Sequence, residues 1–172
     1  MTTFNIAVYT DTICPWCYIA HKSLDQAISL YQKTYPGGRH DAFNFTFLPY
    51  YLDATAPSKG IPWEERVAQK NGQDAVNAIR TRLERVGRAN GIAFGFNSRI
   101  GKTKDSHRLL KWARDKGGEG DQQKRLLETI FEWHFERDGD ITDRQGLVTA
   151  VIASGLPEAE ALQLLESDDC GA

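Results

Sequence analysis

Thr10-Asp11-Thr12-Ile13-Cys14-Pro15-Trp16-Cys17-Tyr18-Ile19 is the stretch on which the reading of this chain turns. Before it, Phe4, Ile6 and Val8 alternate with Asn5, Ala7 and Tyr9, the period of a strand with one apolar face. After it, Leu24, Ala27, Ile28 and Tyr31 recur at helical spacing and predict one buried stripe, closed by Pro36-Gly37-Gly38. The two cysteines therefore fall where a strand hands over to a helix. Pro15 suits the first helical turn, because its missing N–H has no partner to lose there.

A Cys-x-x-Cys spacing at a helix start brings two sulfurs within bonding distance, beside unpaired backbone N–H groups and the positive end of the helix dipole. Thiols in such settings ionise at about 3.5 to 7.5, against about 8.5 when free. Cys14 is expected near the N-cap as the attacking thiol, with Cys17 one turn further in, more buried, and resolving the mixed disulfide. Trp16 is expected to cover the sulfurs or touch a substrate. One competing reading is zinc, with His107, His134 or Cys170 completing a tetrahedral set, although no second close pair of ligands is present and no metal is expected. The other is a pair of inert, buried cysteines.

Further along, Phe43-Asn44-Phe45-Thr46-Phe47-Leu48 predicts a second strand, stopped by Pro49 and parallel to the first through a crossover. The segment from Asp53 to Pro62 is a loop. Helices are expected from about Gln73 to Asn90 with Gly91 as the stop, from Asp105 or Ser106 as cap to Lys116, and from about Gly120 to Arg137. Two short ones follow, capped by Asp143 and opened by Pro157. The tally is two strands and about six helices, and two strands alone do not make a stable sheet.

The chain has 172 residues, 41% hydrophobic and 26% charged, with 21 basic and 23 acidic residues and a formal net charge of -2. It is expected to be globular, with no electrostatic case for nucleic acid or a membrane surface as partner. No run approaches the roughly 20 apolar residues of a membrane span, and the first residues lack the pattern of a secretory signal, so a cytoplasmic location is expected. Three cysteines, two of them adjacent, are not a structural disulfide framework.

Other candidates are weaker. The loop holding Phe94 and Phe96 reads as an apolar, flexible patch able to line a cleft, and His107 follows it at a helix start, where it could face the cysteines. Tyr18 adjoins the pair and either shapes the site or packs in the core. His134 reads as a packing residue, His21 as a helix-surface residue, and Cys170 as part of an acidic tail that disfavours its thiolate.

Taken together, the Asp11 to Ile19 stretch, Phe47-Leu48-Pro49-Tyr50-Tyr51-Leu52, Asn97 through Ser106-His107-Arg108-Leu109-Leu110, and Phe131-Glu132-Trp133-His134-Phe135 followed by Gly139-Asp140-Ile141-Thr142-Asp143 resemble the DsbA-like thioredoxin superfamily. Within it they resemble the FrnE-type oxidoreductases, relatives of the 2-hydroxychromene-2-carboxylate isomerases and kappa-class glutathione transferases. The resemblance implies an α/β fold: a thioredoxin-like β-α-β portion over residues 1–52, and a mostly helical insertion and tail over 53–172. It implies thiol–disulfide exchange through Cys14 and Cys17, with His107 a cleft residue; Pro15, Trp16, Tyr18, Phe94 and Phe96 are the further cleft candidates that the residues themselves suggest. Partners are then thiol or disulfide substrates, protein or glutathione, the latter as co-substrate with no bound cofactor. The alternatives are a glutathione-dependent transferase or isomerase, whose relatives carry serine at the Cys14 position, and a catalytically impaired binding or assembly module.

Members of that superfamily continue into a turn whose cis proline faces the CxxC, then further strands and a closing helix. Here Pro157 belongs to a helix start, Pro49, Pro57 and Pro62 lie in the first crossover region, and the sequence ends at Ala172. The expectation is a chain truncated before the last strands of the fold, with an open sheet edge. That edge would be met by a second copy or by a partner supplying strands.

Overall fold

The computed structural model describes residues 1–116 and 122–167. Strand β1 (Thr3–Thr10) runs parallel to β2 (Ala42–Pro49), in register from Thr3 opposite Ala42 to Thr10 opposite Pro49. Helix α1 (Pro15–Thr34) and a 3-10 turn at Gly38–His40 connect them. This register puts Phe4, Ile6 and Val8 beside Phe43, Phe45 and Phe47 on one face. Phe4 stacks on Phe43 at 5.0 Å, and Tyr31 of α1 meets both rings edge-on at 6.0 and 5.7 Å. Thus α1 covers the apolar face that the alternation predicts.

The buried part of α1 differs from the expected stripe. Tyr18, Ile19 and His21 are its buried residues, whereas Leu24, Ile28 and Tyr31 are half-buried and Ala27 is exposed. The first turns of the helix lie over the helical part of the molecule, while the later ones rest only on the two-stranded sheet.

Beyond residue 60 the chain is helical. A two-residue strand β3 (Ile61–Pro62) pairs antiparallel with β4 (Arg99–Ile100), and around them come α2 (Trp63–Asn71) and α3 (Ala75–Ala89). Then follow α4 (Lys104–Asp115), α5 (Gln122–Glu136), α6 (Arg144–Ala153) and α7 (Glu158–Glu166). Seven helices are thus described, against about six expected, and the small β3–β4 ladder has too few residues to show a period. Gly91 does end α3, at φ 74°. Asp143 does cap α6, accepting from the Gln145 N–H at 3.0 Å. Helix α4 starts instead after Thr103, because the Ser106 hydroxyl is turned inward to the Thr103 carbonyl. The expected turn at Gly117-Gly118 and helix start at Gly120 lie outside the described residues, as does Cys170.

One core joins the two parts. Leu126, Ile130 and Phe131 of α5 and Leu147 and Val151 of α6 are fully buried, and Tyr18 from α1 lies among them, stacked on Phe131 at 5.0 Å and Phe135 at 5.8 Å. The outer edge of β2 is not left bare. Gln123 of α5 is buried, accepts from the Phe47 N–H at 2.9 Å and donates to the Phe47 carbonyl at 2.7 Å, as a neighbouring strand would. No third strand pairs with β1 among the described residues, and Tyr9 there is 70% exposed. No helix among the described residues is long and apolar enough to cross a membrane.

Candidate active site

The turn that ends β1 folds back on itself, the Cys14 N–H donating to the Asp11 carbonyl at 3.1 Å. Cys14 is the N-cap of α1 and its carbonyl accepts from the Cys17 and Tyr18 N–H groups at 3.0 and 3.3 Å. Both cysteines are free thiols. Their burial is the reverse of the sequence expectation. Cys14 is 8% exposed, in a turn whose residues Thr10 to Ile13 are all buried, while Cys17 is half-buried and opens onto a groove of about 230 Å³ lined by Val8, Leu24 and Phe47. The N-cap belongs to the packed turn; one helical turn later the chain has emerged from it.

The two thiols sit at the start of α1 and act on each other's ionisation. The Cys14 thiol donates to Cys17, which with the Asp11 N–H and the Thr10 hydroxyl lowers Cys17 from 9.0 to about 6, against the opposing effects of burial and the Asp11 carboxylate. The same hydrogen bond, then burial and the charge on Cys17, push Cys14 up, and the Cys17 and Trp16 N–H groups at the helix start pull the other way.

Beneath the pair lies a buried polar cluster. Asp11 is fully buried; its Oδ2 accepts from the Leu52 N–H at 2.7 Å, and its Oδ1 accepts from Nε2 of His107 at 3.3 Å. Ser106 donates to the Thr103 carbonyl at 2.8 Å, leaving its oxygen to accept the Thr12 hydroxyl at 2.8 Å. These contacts tie the start of α4 to the turn that carries the cysteines. His107 therefore does face the site, but through Asp11, and it also walls a pocket of about 210 Å³ with Tyr51 and Pro49. Asp11, Thr10, Thr12 and Ser106 were not singled out from sequence. The signal was a polar Thr-Asp-Thr run in a position that the strand pattern buries.

The other cleft candidates divide. Pro15 and Trp16 line a cleft of about 420 Å³ between the start of α1, α2 and α3, and Trp16 is 43% exposed. Tyr18 does not reach it: it is fully buried and donates to Glu136 at 2.5 Å, and burial followed by that contact pushes its hydroxyl well above the usual range. Phe94 and Phe96 are half-buried and pack against the core. Phe94 lies so close to Gly87 that a Cβ there would come within 2.5 Å of its ring, and Phe96 packs edge-on against Trp63 at 4.8 Å. Their loop is pinned rather than free: Gly95 donates to the Phe135 carbonyl at 2.7 Å, and Asn97 donates twice to Asp138 at 2.9 and 3.0 Å.

Among the described residues, a group able to hold a metal is His21, Asp25 and Glu128, whose ligand atoms lie within 4.8 Å of one another. It excludes the cysteines, and the Lys124 ammonium already contacts Asp25 at 2.6 Å and Glu128 at 3.8 Å. His21 is thus buried and paired with Glu128 at 3.0 Å, not a surface residue. His134 is fully buried, as a packing role requires; its Nδ1 donates to the Gly139 carbonyl at 2.9 Å, and burial lowers it to about 4.

A family model described as the DSBA-like thioredoxin domain matches residues 5–172. No curated protein matches the chain. Among solved structures, a probable DsbA oxidoreductase from Streptomyces coelicolor is similar with a TM-score of 0.79 at 22% identity, over 96% of this chain and 69% of that one. A putative protein disulfide isomerase from Nitrosomonas europaea gives 0.64 at 15% identity, over 96% and 72%. A 2-hydroxychromene-2-carboxylate isomerase gives 0.57 at 14%, over 97% and 73%. At such identities these likenesses establish the fold.

Proposed function

Because this chain belongs to the DSBA-like thioredoxin domain family, we propose that Cys14 and Cys17 form a dithiol that exchanges with the disulfides of its substrates. The observation that carries the reading is the pair of free thiols at the start of α1, with Cys17 lowered to about 6 chiefly by the Cys14 thiol. When the Cys14 proton passes to Cys17, thiolate is left at Cys14, where the Trp16 and Cys17 N–H groups stabilise it.

That thiolate attacks one sulfur of a substrate disulfide and expels the other as thiolate, forming a mixed disulfide. Cys17 then gives up its proton and attacks the Cys14 sulfur. This closes the Cys14–Cys17 disulfide and releases the second substrate thiolate, so two electrons pass from the dithiol to the substrate. In reverse, a substrate thiolate attacks Cys14 of the disulfide and Cys17 leaves. A leaving thiol with a low pKa departs faster, so the lowered Cys17 speeds this step. Glutathione is the proposed small co-substrate.

The isomerase or transferase reading placed Phe94 and Phe96 in a pocket for a small aromatic, and their half-buried rings instead pack against Trp63 and Phe135. The exchange reading is tested by insulin-disulfide reduction with purified protein and its Cys14→Ser variant. Catalysed reduction lost in the variant supports it, and equal rates for the two proteins count against it.

A further inference from the structure

The cleft beside the dithiol has an unbalanced charge. Its wall between α1, α2 and α3 is apolar, from Trp16, Val67, Leu83 and Ile100, while its charged members are Arg66, Lys70, Arg82 and Asp53. Arg66 donates to both Asp53 oxygens at 2.7 and 2.8 Å, and Lys70 reaches the same carboxylate at 3.0 Å. Arg66, then Lys70, hold the Asp53 carboxyl well below its usual range, so it stays ionised and can neutralise one of the cations. Two positive charges remain in excess along the cleft.

Arg82 stands apart from that pair. Its guanidinium lies over the Trp16 ring at 4.9 Å, and Trp16 is one of the two residues between the cysteines. The exposed Arg85, one turn further along α3, continues the basic rim beyond the cleft. An apolar trough with a cationic rim running away from the reactive sulfurs fits an extended chain better than a small molecule.

We propose that this cleft selects disulfide substrates whose reactive cysteine is flanked by an acidic and apolar polypeptide segment. The apolar side chains would enter beside Trp16 and Leu83, and a carboxylate would pair with Arg82. The inference rests on the dithiol reading given above, and it adds the class of substrate.

Two synthetic disulfide-linked peptides that differ only in Asp-Leu or Lys-Leu flanks provide the test, with uncharged 2-hydroxyethyl disulfide as a third substrate. For the reduced wild-type protein at low salt, the second-order rate constant of single-turnover reduction is expected to favour the acidic peptide about tenfold, and the ratio is expected to shrink as salt is added. Arg82→Glu should bring the ratio to about one or below, and Arg82→Lys should restore most of it. A ratio cancels any general loss from poorer folding. A wild-type ratio near one, or a preference that survives Arg82→Glu, overturns the inference while turnover of 2-hydroxyethyl disulfide leaves the dithiol reading standing. Failure of the wild type to reduce any of the three overturns both.

Discussion

Nε2 of His107 donates to Oδ1 of Asp11 at 3.3 Å, with both side chains almost wholly removed from solvent. A buried carboxylate so placed is held by three elements at once, since its other oxygen takes the Leu52 N–H and its own N–H is turned to the Cys17 sulfur. Its charge also opposes a thiolate at Cys17. Asp11→Asn should therefore lower the Cys17 midpoint below about 6, while costing about 1 to 3 kcal/mol of stability through the weakened buried hydrogen bonds. Thiolate absorbance against pH, together with urea unfolding, measures both; a raised midpoint would contradict this account of the site.

The Cys14 thiol is the largest cause of the low Cys17 value. Removing the donor with Cys14→Ala should move the single remaining thiolate titration upward, toward the ordinary 9.0. Alkylation rate against pH reads the midpoint directly. An unchanged midpoint would mean that the helix start, not the partner thiol, holds the charge.

His134 titrates at about 4 in the fold and at 6.5 when unperturbed. Between those values the unfolded chain binds more protons than the folded one, so stability rises with pH across this window and is lost as pH falls through it, by about 3 kcal/mol in full. Urea unfolding at several pH values should show that slope, and His134→Gln should flatten it. Carboxylates held down by cations, such as Asp53 by Arg66, release their share only at lower pH.

Gln123 is the only described side chain that pairs with both the N–H and the carbonyl of Phe47. Gln123→Leu leaves both backbone groups buried without partners and should cost about 2 to 4 kcal/mol. The conservative Gln123→Glu keeps the acceptor but loses the donor, so its loss should fall on the carbonyl side. A midpoint of urea unfolding unchanged in Gln123→Leu would show that water reaches this edge.

Much of this arrangement was legible in the residues. The alternation of Phe4, Ile6 and Val8, the three phenylalanines of the second strand and the glycine at 91 each follow a local rule, and local rules set the β-α-β order and the helix stops. Phe94 and Phe96 read as cleft residues, and Tyr18 as either cleft or core, because aromatic residues near a site look alike whether they line a cleft or pack on a core. Only the position of Gly87 and of the α5 rings decides that. The roles of Asp11 and Thr12 were invisible for a related reason: their partners His107 and Ser106 lie 96 and 94 residues away in sequence, and nothing in a polar residue's neighbours announces such a contact. The burial of Cys14 likewise depends on how the turn packs, which spacing alone does not carry.

The most direct test of the dithiol is equilibration of the purified protein in graded mixtures of reduced and oxidised glutathione, followed by acid quenching, thiol alkylation and mass spectrometry. The account predicts a single two-electron transition in which Cys14 and Cys17 become protected together. It also predicts that Cys17→Ser stops at a glutathione adduct on Cys14. Independent modification of the two cysteines, with no intramolecular disulfide at any glutathione ratio, would contradict it.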